Sequence, residues 1–520
     1  MSDFVESIKT CLCRFHDIDH VDIIETHISW VFLTGECAYK IKKPVDYGFV
    51  NFTTLDRRRF YCHEEYRLNK RLASQLYIDV VTLTGNESYI EINGRLPVVD
   101  YAVRLHQFNH DQKFDVLLNR LKLRDEDFEQ LAIRIAKFHN NIDVAPPTSR
   151  YGEPNLVHTA VTENFFHCRQ SPTNHTTEVK IDLLSKWCNK EFKRIYHALH
   201  ERKNSGMIRE CHGDLHLGNI CVFHDKITPF DCIEFNPNFR WIDVINEIAF
   251  LVMDLMSRGR QDFAIRFLNE YLTITGDYAG LSCLRYYLVY RAMVRAKIEH
   301  IRARQGHWEK SVQKTAMSNF YHYVELADTL TKTTQPLLII THGLTASGKS
   351  TLAKQLQKLL FVIHIRSDIE RKRLYGLEAT ANSHSTINSG IYTSMATLHT
   401  YQQLYEITES LIKNHWSVIV DATFLQHKSR KKFLEMANRY QAHFVILNCV
   451  TQQSDLLQRL AQRSREQYSV SEADPTVLQQ QITAIEPLTD QEQLYTVTID
   501  THKPIEMSSL AEKLRVTVPT

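Results

Sequence analysis

The 520-residue chain lacks any Cys-x-x-Cys pair; its eleven cysteines are scattered singly and Cys11-x-Cys13 is the closest approach. That spacing excludes the usual zinc frameworks, and an odd, dispersed set gives no disulfide scaffold. Free thiols in a reducing cytoplasm are the expectation. No apolar run approaches the ~18 residues of a membrane helix, and the start, Met1-Ser-Asp-Phe-Val-Glu, has early acids where a secretory leader has an apolar core. A soluble, cytoplasmic protein is therefore expected. An excess of one charge is missing too. Sixty-two Lys and Arg against 60 Asp and Glu leave +2, so nothing global calls for a nucleic-acid or membrane partner. What is present is ordinary globular composition, 43% hydrophobic and 23% charged, which argues against long disorder. The length predicts two to four domains.

The most informative stretch is Glu210–Asn236, read as Glu-Cys-His-Gly-Asp-Leu-His-Leu-Gly-Asn, then two short apolar segments, then Phe-Asp-Cys-Ile-Glu-Phe-Asn. Asp214 and Asn219 are five residues apart, and Asp231 follows twelve later. Ile220–His224 and Ile227–Phe230 are predicted as two strands joined at Asp225-Lys226, a hairpin that returns Asp231 toward Asp214. Phosphoryl transfer from a nucleotide needs this set: a carboxylate for the attacking hydroxyl, and an Asn and a second Asp for magnesium. The segment resembles the aminoglycoside phosphotransferase family, the small-molecule branch of the protein-kinase-like fold. The resemblance implies that Asp214 is the catalytic base, that Asn219 and Asp231 bind Mg2+, and that His212 braces the loop. His216 and Glu234 are left open, Glu234 between the metal site and the next strand.

Upstream, Ile28–Leu33 and Cys37–Lys42 read as strands around Thr34-Gly35-Glu36. Ala38-Tyr39-Lys40 echoes the Ala-x-Lys that grips nucleotide phosphates. Lys40 is the first candidate and Lys42 the second, because alternation puts both on one side of the strand. The helical pattern of Leu55–Leu76 supplies an acidic partner, Glu65, with Glu64 as alternative. No Gly-x-Gly-x-x-Gly precedes the lysine; Thr26-His-Ile-Ser29 is expected to form the loop over the phosphates. The polar stretch Asn164–Cys188 stays ambiguous. Asp243, ahead of the apolar segment Ile245–Met256, is read as structural.

Beyond the polar linker Thr331–Gln335, Leu337-Leu-Ile-Ile340 predicts a buried strand. It leads into Gly343-Leu-Thr-Ala-Ser-Gly348-Lys349-Ser350, a complete phosphate loop opening a helix. Amides of Gly343, Ala346, Ser347, Gly348 and Thr351 would surround the phosphates, Lys349 would neutralise them, and Ser350 would ligate magnesium. Two further apolar strands end in Arg366-Ser-Asp368-Ile-Glu-Arg371 and Asp421-Ala-Thr423-Phe. In a parallel sheet their tips converge with Gly343. Asp368 is a candidate base with Arg371 holding an anion, although spacing equally allows Asp368 to cap the next helix. Asp421 would hold magnesium through water. This half resembles gluconate-kinase-like and zeta-toxin-like phosphate-loop kinases (AAA-type ATP-binding domains) and polynucleotide 5′-kinases, where an arginine-bearing lid covers ATP; Arg463 and then Arg459 match.

Together the halves resemble an uncharacterised bacterial family of such fusions. The fold class implied is an α+β protein-kinase-like domain over residues 1–330, N-lobe about 1–100 and C-lobe about 101–330, followed by an α/β phosphate-loop domain over 336–520. ATP and Mg2+ are the implied cofactors and small-molecule hydroxyls the implied acceptors. A nucleic-acid acceptor for the second half is the less favoured reading.

Overall fold

The computed structural model describes residues 3–48, 50–170, 174–304, 309–379, 381, 383, 390–463 and 475–516. Its internal contacts gather into two compact units: Met1–Ala160 with Leu199–Asp254, and Val161–Ala198 with Leu255–Thr520. Among the described residues no helix is long and apolar enough to cross a membrane.

The first unit begins with the amphipathic helix Asp3–His16 and strands β1 (Asp22–Glu25), β2 (Ser29–Leu33) and β3 (Cys37–Lys42). The helix Leu55–Ala73 follows, then β4 (Tyr77–Asn86), β5 (Tyr89–Ile92) and β6 (Val98–His106). The six strands form one antiparallel sheet in the order β1-β2-β3-β6-β4-β5. Period-two alternation divides β3 between two cores. Tyr39 and Ile41 pack with Phe32 against Val5, Ile8 and Leu12 of the first helix. Ala38 packs on the opposite face with Cys62, Leu76 and Val103, and Lys40 and Lys42 share that side by parity. The helix Leu55–Ala73 starts where the Thr54 hydroxyl accepts the Arg57 N–H, an N-cap that satisfies one orphan donor.

Further along the first unit lie β7 (Ile208–Glu210), β8 (Ile220–Phe223), β9 (Lys226–Pro229) and β10 (Trp241–Asp243). β7 pairs with β10, and β8 with β9. The β8–β9 turn is His224-Asp225, one residue earlier than the sequence predicts. Both residues adopt positive φ, 47° and 59°, which matches a two-residue turn to the strand twist.

The second unit holds five parallel strands, β11 (Leu337–His342), β12 (Ile363–Arg366), β13 (Val418–Asp421), β14 (His443–Val450) and β15 (Thr496–Asp500). Their order is β12-β13-β11-β14-β15. Ile339, Ile419, Val445 and Leu447 form the sheet side of a core that Leu352, Leu356 and Leu514 cover from flanking helices. β12 is an edge strand, a liability when left open. Asn269, on the helix Gln261–Thr275, closes it: its amide donates to the Val362 carbonyl (3.0 Å) and accepts the His364 N–H (2.8 Å). Most of the stretch Asn164–Cys188 is helical, in Pro154–Arg169 and His175–Asn204. Phe165, Cys168, Ile181, Leu184 and Cys188, spaced three or four apart within each helix, are buried.

Candidate active sites

In the first unit, the two β3 lysines gather three carboxylates, those of Glu65, Asp231 and Glu234. Lys40 Nζ is 2.9 Å from Glu65 Oε1 and 2.5 Å from Asp231 Oδ1. Lys42 Nζ is 2.8 Å from Glu65 Oε2 and also donates to Glu234. Glu65 therefore spans both lysines, one oxygen to each. Glu64 instead pairs with Arg67 and Arg240. Burial alone would raise the Glu65 carboxyl; the two ammonium groups outweigh it and hold it at about 2. Lys42 has no exposed surface. Burial opposes its charge, yet Glu234 and Glu65 push its pKa above the ordinary value.

The loop after β7 is held by its neighbours rather than by its own sequence. Glu247 accepts the His212 and Gly213 N–H groups (2.6 and 3.0 Å), and Asp254 accepts that of Leu217 (2.9 Å). His212 Nδ1 receives the Asp214 N–H, so Nε2 carries the proton and donates to the Phe230 carbonyl (2.8 Å). Burial lowers this imidazole to about 4, keeping it neutral in that role. Asn219 Nδ2 donates to Asp214 Oδ2 (2.9 Å), and the Asn219 carbonyl accepts the Phe230 N–H. Phe230 thus ties Asp231 to both His212 and Asn219. Asp231 itself sits at φ 66°, a left-handed conformation that costs a non-glycine residue free energy and is held only by its surroundings. His216, whose Nδ1 accepts the Gly218 N–H, presents Nε2 at 3.3 Å from Asp214 Oδ2. Asp243 caps the following helix through the Ile245 N–H (2.9 Å) and pairs with Arg202. The Asn219 side-chain amide donates to Asp214 through Nδ2, so its side-chain oxygen Oδ1 serves as an acceptor. With the Asp231 carboxylate this is an all-oxygen donor pair suited to a hard divalent cation.

In the second unit the loop between β11 and the helix Lys349–Leu360 wraps tightly. Gly343 has φ 135°, and a Cβ there would lie 2.5 Å from the Cys449 carbonyl oxygen. Ala346 adopts φ 61° and Gly348 φ 89°. Lys349 Nζ donates to the Gly343 and Leu344 carbonyls (3.0 and 2.6 Å), while Lys349, Ser350 and Thr351 open the helix. Ser347 follows Ala346 in the loop, and the Thr501 hydroxyl donates to its carbonyl (2.9 Å). The Ser350 side chain lies near Asp421 and helps to lower its carboxyl. Burial would raise the Asp421 carboxyl, but His364, 3.3 Å from Oδ2, leads the groups that hold it at about 2. A hydroxyl beside an ionised carboxylate again fits a hard cation.

The helix Ser367–Leu374 has Arg366 as N-cap, so Asp368 lies within its first turn and does not cap it. Arg371 is buried, donates to the Ile391 carbonyl (2.9 Å) and Thr397 Oγ1 (3.2 Å), and lies over the Tyr392 ring. Arg459 donates to the Ala346 carbonyl and to Thr501, gripping the phosphate loop from behind. The Arg463 side chain and the start of the expected next helix at Ser471–Asp474 lie outside the described residues. Three neighbours carry no motif: His364; Tyr401, whose hydroxyl accepts the Phe424 N–H (3.1 Å); and Gln481, whose carbonyl accepts the Thr345 N–H (2.7 Å). Only through-space packing puts them here.

A family described as AAA domain matches residues 338–488. The uncharacterized protein Rv2004c of Mycobacterium tuberculosis is 27% identical over 459 residues, covering 86% of this chain and 87% of its own length. Uncharacterized protein Mb2027c of Mycobacterium bovis gives the same figures. Among solved structures, the amicoumacin kinase hAmiN is similar over 59% of this chain and 88% of its own (15% identity, TM-score 0.38). A gluconokinase from Sinorhizobium meliloti is similar over 35% and 91% respectively (18% identity, TM-score 0.25). The first unit is α+β around a six-stranded antiparallel sheet, and the second is an α/β unit with a five-stranded parallel sheet in which the AAA-domain match falls.

Proposed function

We propose that this protein is a bifunctional ATP- and magnesium-dependent phosphotransferase acting on hydroxyl groups of small molecules, with one site in residues 1–330 and a second in 336–520. The observation that carries the reading is that each unit holds a lysine beside a pair of oxygen-bearing side chains. Lys40 stands with Asp231 and Asn219, and Lys349 with Ser350 and Asp421. In the first site Asp214 accepts the acceptor hydroxyl's proton, held in place by Asn219 and His216, while Lys40 exchanges its Asp231 contact for nucleotide phosphate oxygens. In the second site Asp368 is the base, Lys349 leaves the loop carbonyls for the phosphates, and Arg371 steadies the acceptor side. Its Nε is buried without an acceptor, a donor available to an anion. Asn219 with Asp231, and Ser350 with Asp421, would hold the magnesium. When bound there, the ion would supply charge neutralisation for the transferring phosphoryl group.

Calorimetry with a non-hydrolysable ATP analogue and magnesium tests this directly. Two nucleotides per chain are expected, with one lost in Lys40→Ala and the other in Lys349→Ala. Phosphoryl transfer in an acceptor screen should fall ~10²–10⁴-fold in Asp214→Ala for first-site acceptors and in Asp368→Asn for second-site acceptors. A single nucleotide per chain would refute the two-site reading. One observation favours a regulatory second module: Gln481 occupies a phosphate-loop amide. On that reading Asp368→Asn leaves every turnover unchanged.

A further inference from the structure

In the first unit a cavity of about 420 Å³ opens beside the end of the helix Leu55–Ala73, lined by Arg71, Arg134, Lys137, Phe138, Asn141 and Asp143 among others. No residue assigned to either phosphotransferase site lines it. Four of these residues, at 134, 137, 138 and 141, fall on one face of the helix Asp125–Asn141 by their three- and four-residue spacing. The volume matches that of small-molecule sites. Its walls carry three cations against the single carboxylate of Asp143.

Two of those cations have unmet demand. Arg134 Nη2 donates to the Leu72 carbonyl, but its Nε is buried with no acceptor. Among the described residues the Lys137 ammonium makes no ion pair. A buried N–H without an acceptor is costly, and partial burial lowers the Arg134 pKa from its ordinary value. The third cation, Arg71, lies 5.2 Å over the Phe138 ring. It donates to the Glu210 carboxylate and to the Glu210 and Cys211 carbonyls, immediately ahead of His212.

We infer that this cavity is an effector site for a phosphate monoester: the phosphate group sits between Arg134 and Lys137, and the organic part lies along Phe138. A phosphate group supplies several acceptor oxygens at once, which a guanidinium and an ammonium bind by charge-assisted hydrogen bonds. The cavity has room for a body of sugar size beyond the phosphate. It binds without reacting, because the cavity holds neither a paired lysine and glutamate nor a phosphate loop. Through Arg71 the ligand reaches the base of the Asp214 loop, so occupancy changes turnover at the first site; that part rests on the function proposed above.

The test uses the full chain with both nucleotide sites saturated by a non-hydrolysable ATP analogue and magnesium, at constant ionic strength. Glucose 6-phosphate and inorganic phosphate are titrated by calorimetry as separate arms. Millimolar or tighter binding of glucose 6-phosphate is expected, tighter than that of inorganic phosphate. Lys137→Met, at an exposed position that spares the fold, should weaken it roughly tenfold, the worth of one hydrogen bond to a charged group. Arg134→Met should weaken it at least as much, while Lys180→Met, elsewhere on the surface, changes nothing. No binding of either anion, equal affinity in the wild type and Lys137→Met, or preference for inorganic phosphate would each overturn the assignment. Binding that leaves first-site turnover unaltered would overturn the link through Arg71.

Discussion

Replacing Lys42 by Met isolates the energetics of the shared-glutamate cluster. Lys42 has no exposed surface and neutralises two carboxylates that are themselves buried, Glu65 and Glu234. Glu65 keeps Lys40 as a partner, but Glu234 loses the cation that holds it down; burial already raises its pKa against the pull of Lys42. Breaking a buried ion pair from one side costs about 3–5 kcal/mol, and a unit of this size loses roughly 2–4 °C in melting temperature per kcal/mol. A drop on the order of 10 °C is therefore expected for the first unit's transition. Because a two-unit chain need not unfold in one step, hydrogen exchange of the β3 and β6 amides is the cleaner readout. The loss has a pH signature. A carboxyl whose folded pKa is raised above its unfolded value contributes stability below the unfolded pKa and loses it as pH rises. In Lys42→Met the deficit relative to wild type should therefore shrink as pH falls and Glu234 takes up a proton. The double variant Lys42→Met/Glu234→Gln should recover much of the loss, since it removes the unpaired charge. A single-variant cost under about 1 kcal/mol, far below the buried-pair range, or a double variant no better than the single, would refute the reasoning.

Two further perturbations follow from the same geometry. Burial lowers His139 to about 3 and His212 to about 4, so the unfolded chain binds these protons first. The first unit should lose stability as pH falls from 6.5 toward 4, by roughly 3 kcal/mol from His212 alone. A flat urea midpoint across that range would contradict it. Gly343→Ala forces a Cβ to within 2.5 Å of the Cys449 carbonyl oxygen at φ 135°. It should abolish nucleotide binding at the second site and leave the first site's affinity unchanged, and calorimetric stoichiometry reports both.

The two sites differ in how far their residues alone describe them. Gly343–Ser350 is readable as a motif because its work is done by consecutive backbone groups, and two of its glycines stand at φ values that a side chain resists. The parity of Lys40 and Lys42 is likewise local, a consequence of strand alternation. Their division of labour is not. That one glutamate spans both lysines depends on how the helix Leu55–Ala73 lies across β3, and that Glu234 closes the cluster depends on the turn after Asp231. Glu64, the alternative that the sequence left open, pairs instead with Arg67 and Arg240. The Asp368 helix begins two residues earlier than a capping role requires, with Arg366 in the cap position.

Chain order alone pointed to the chemistry proposed here: two candidate phosphate-binding signatures, each with oxygen-donor residues at characteristic spacing, because such signatures are written in consecutive residues. Tertiary packing decided which charges share a partner and which donors go without one. His364 meets Asp421 and Asn269 closes β12, and the cations of Arg134 and Lys137 line a cavity. Those are pairings between residues distant in the chain. Their free energy depends on burial and separation, and neither exists until the elements have packed.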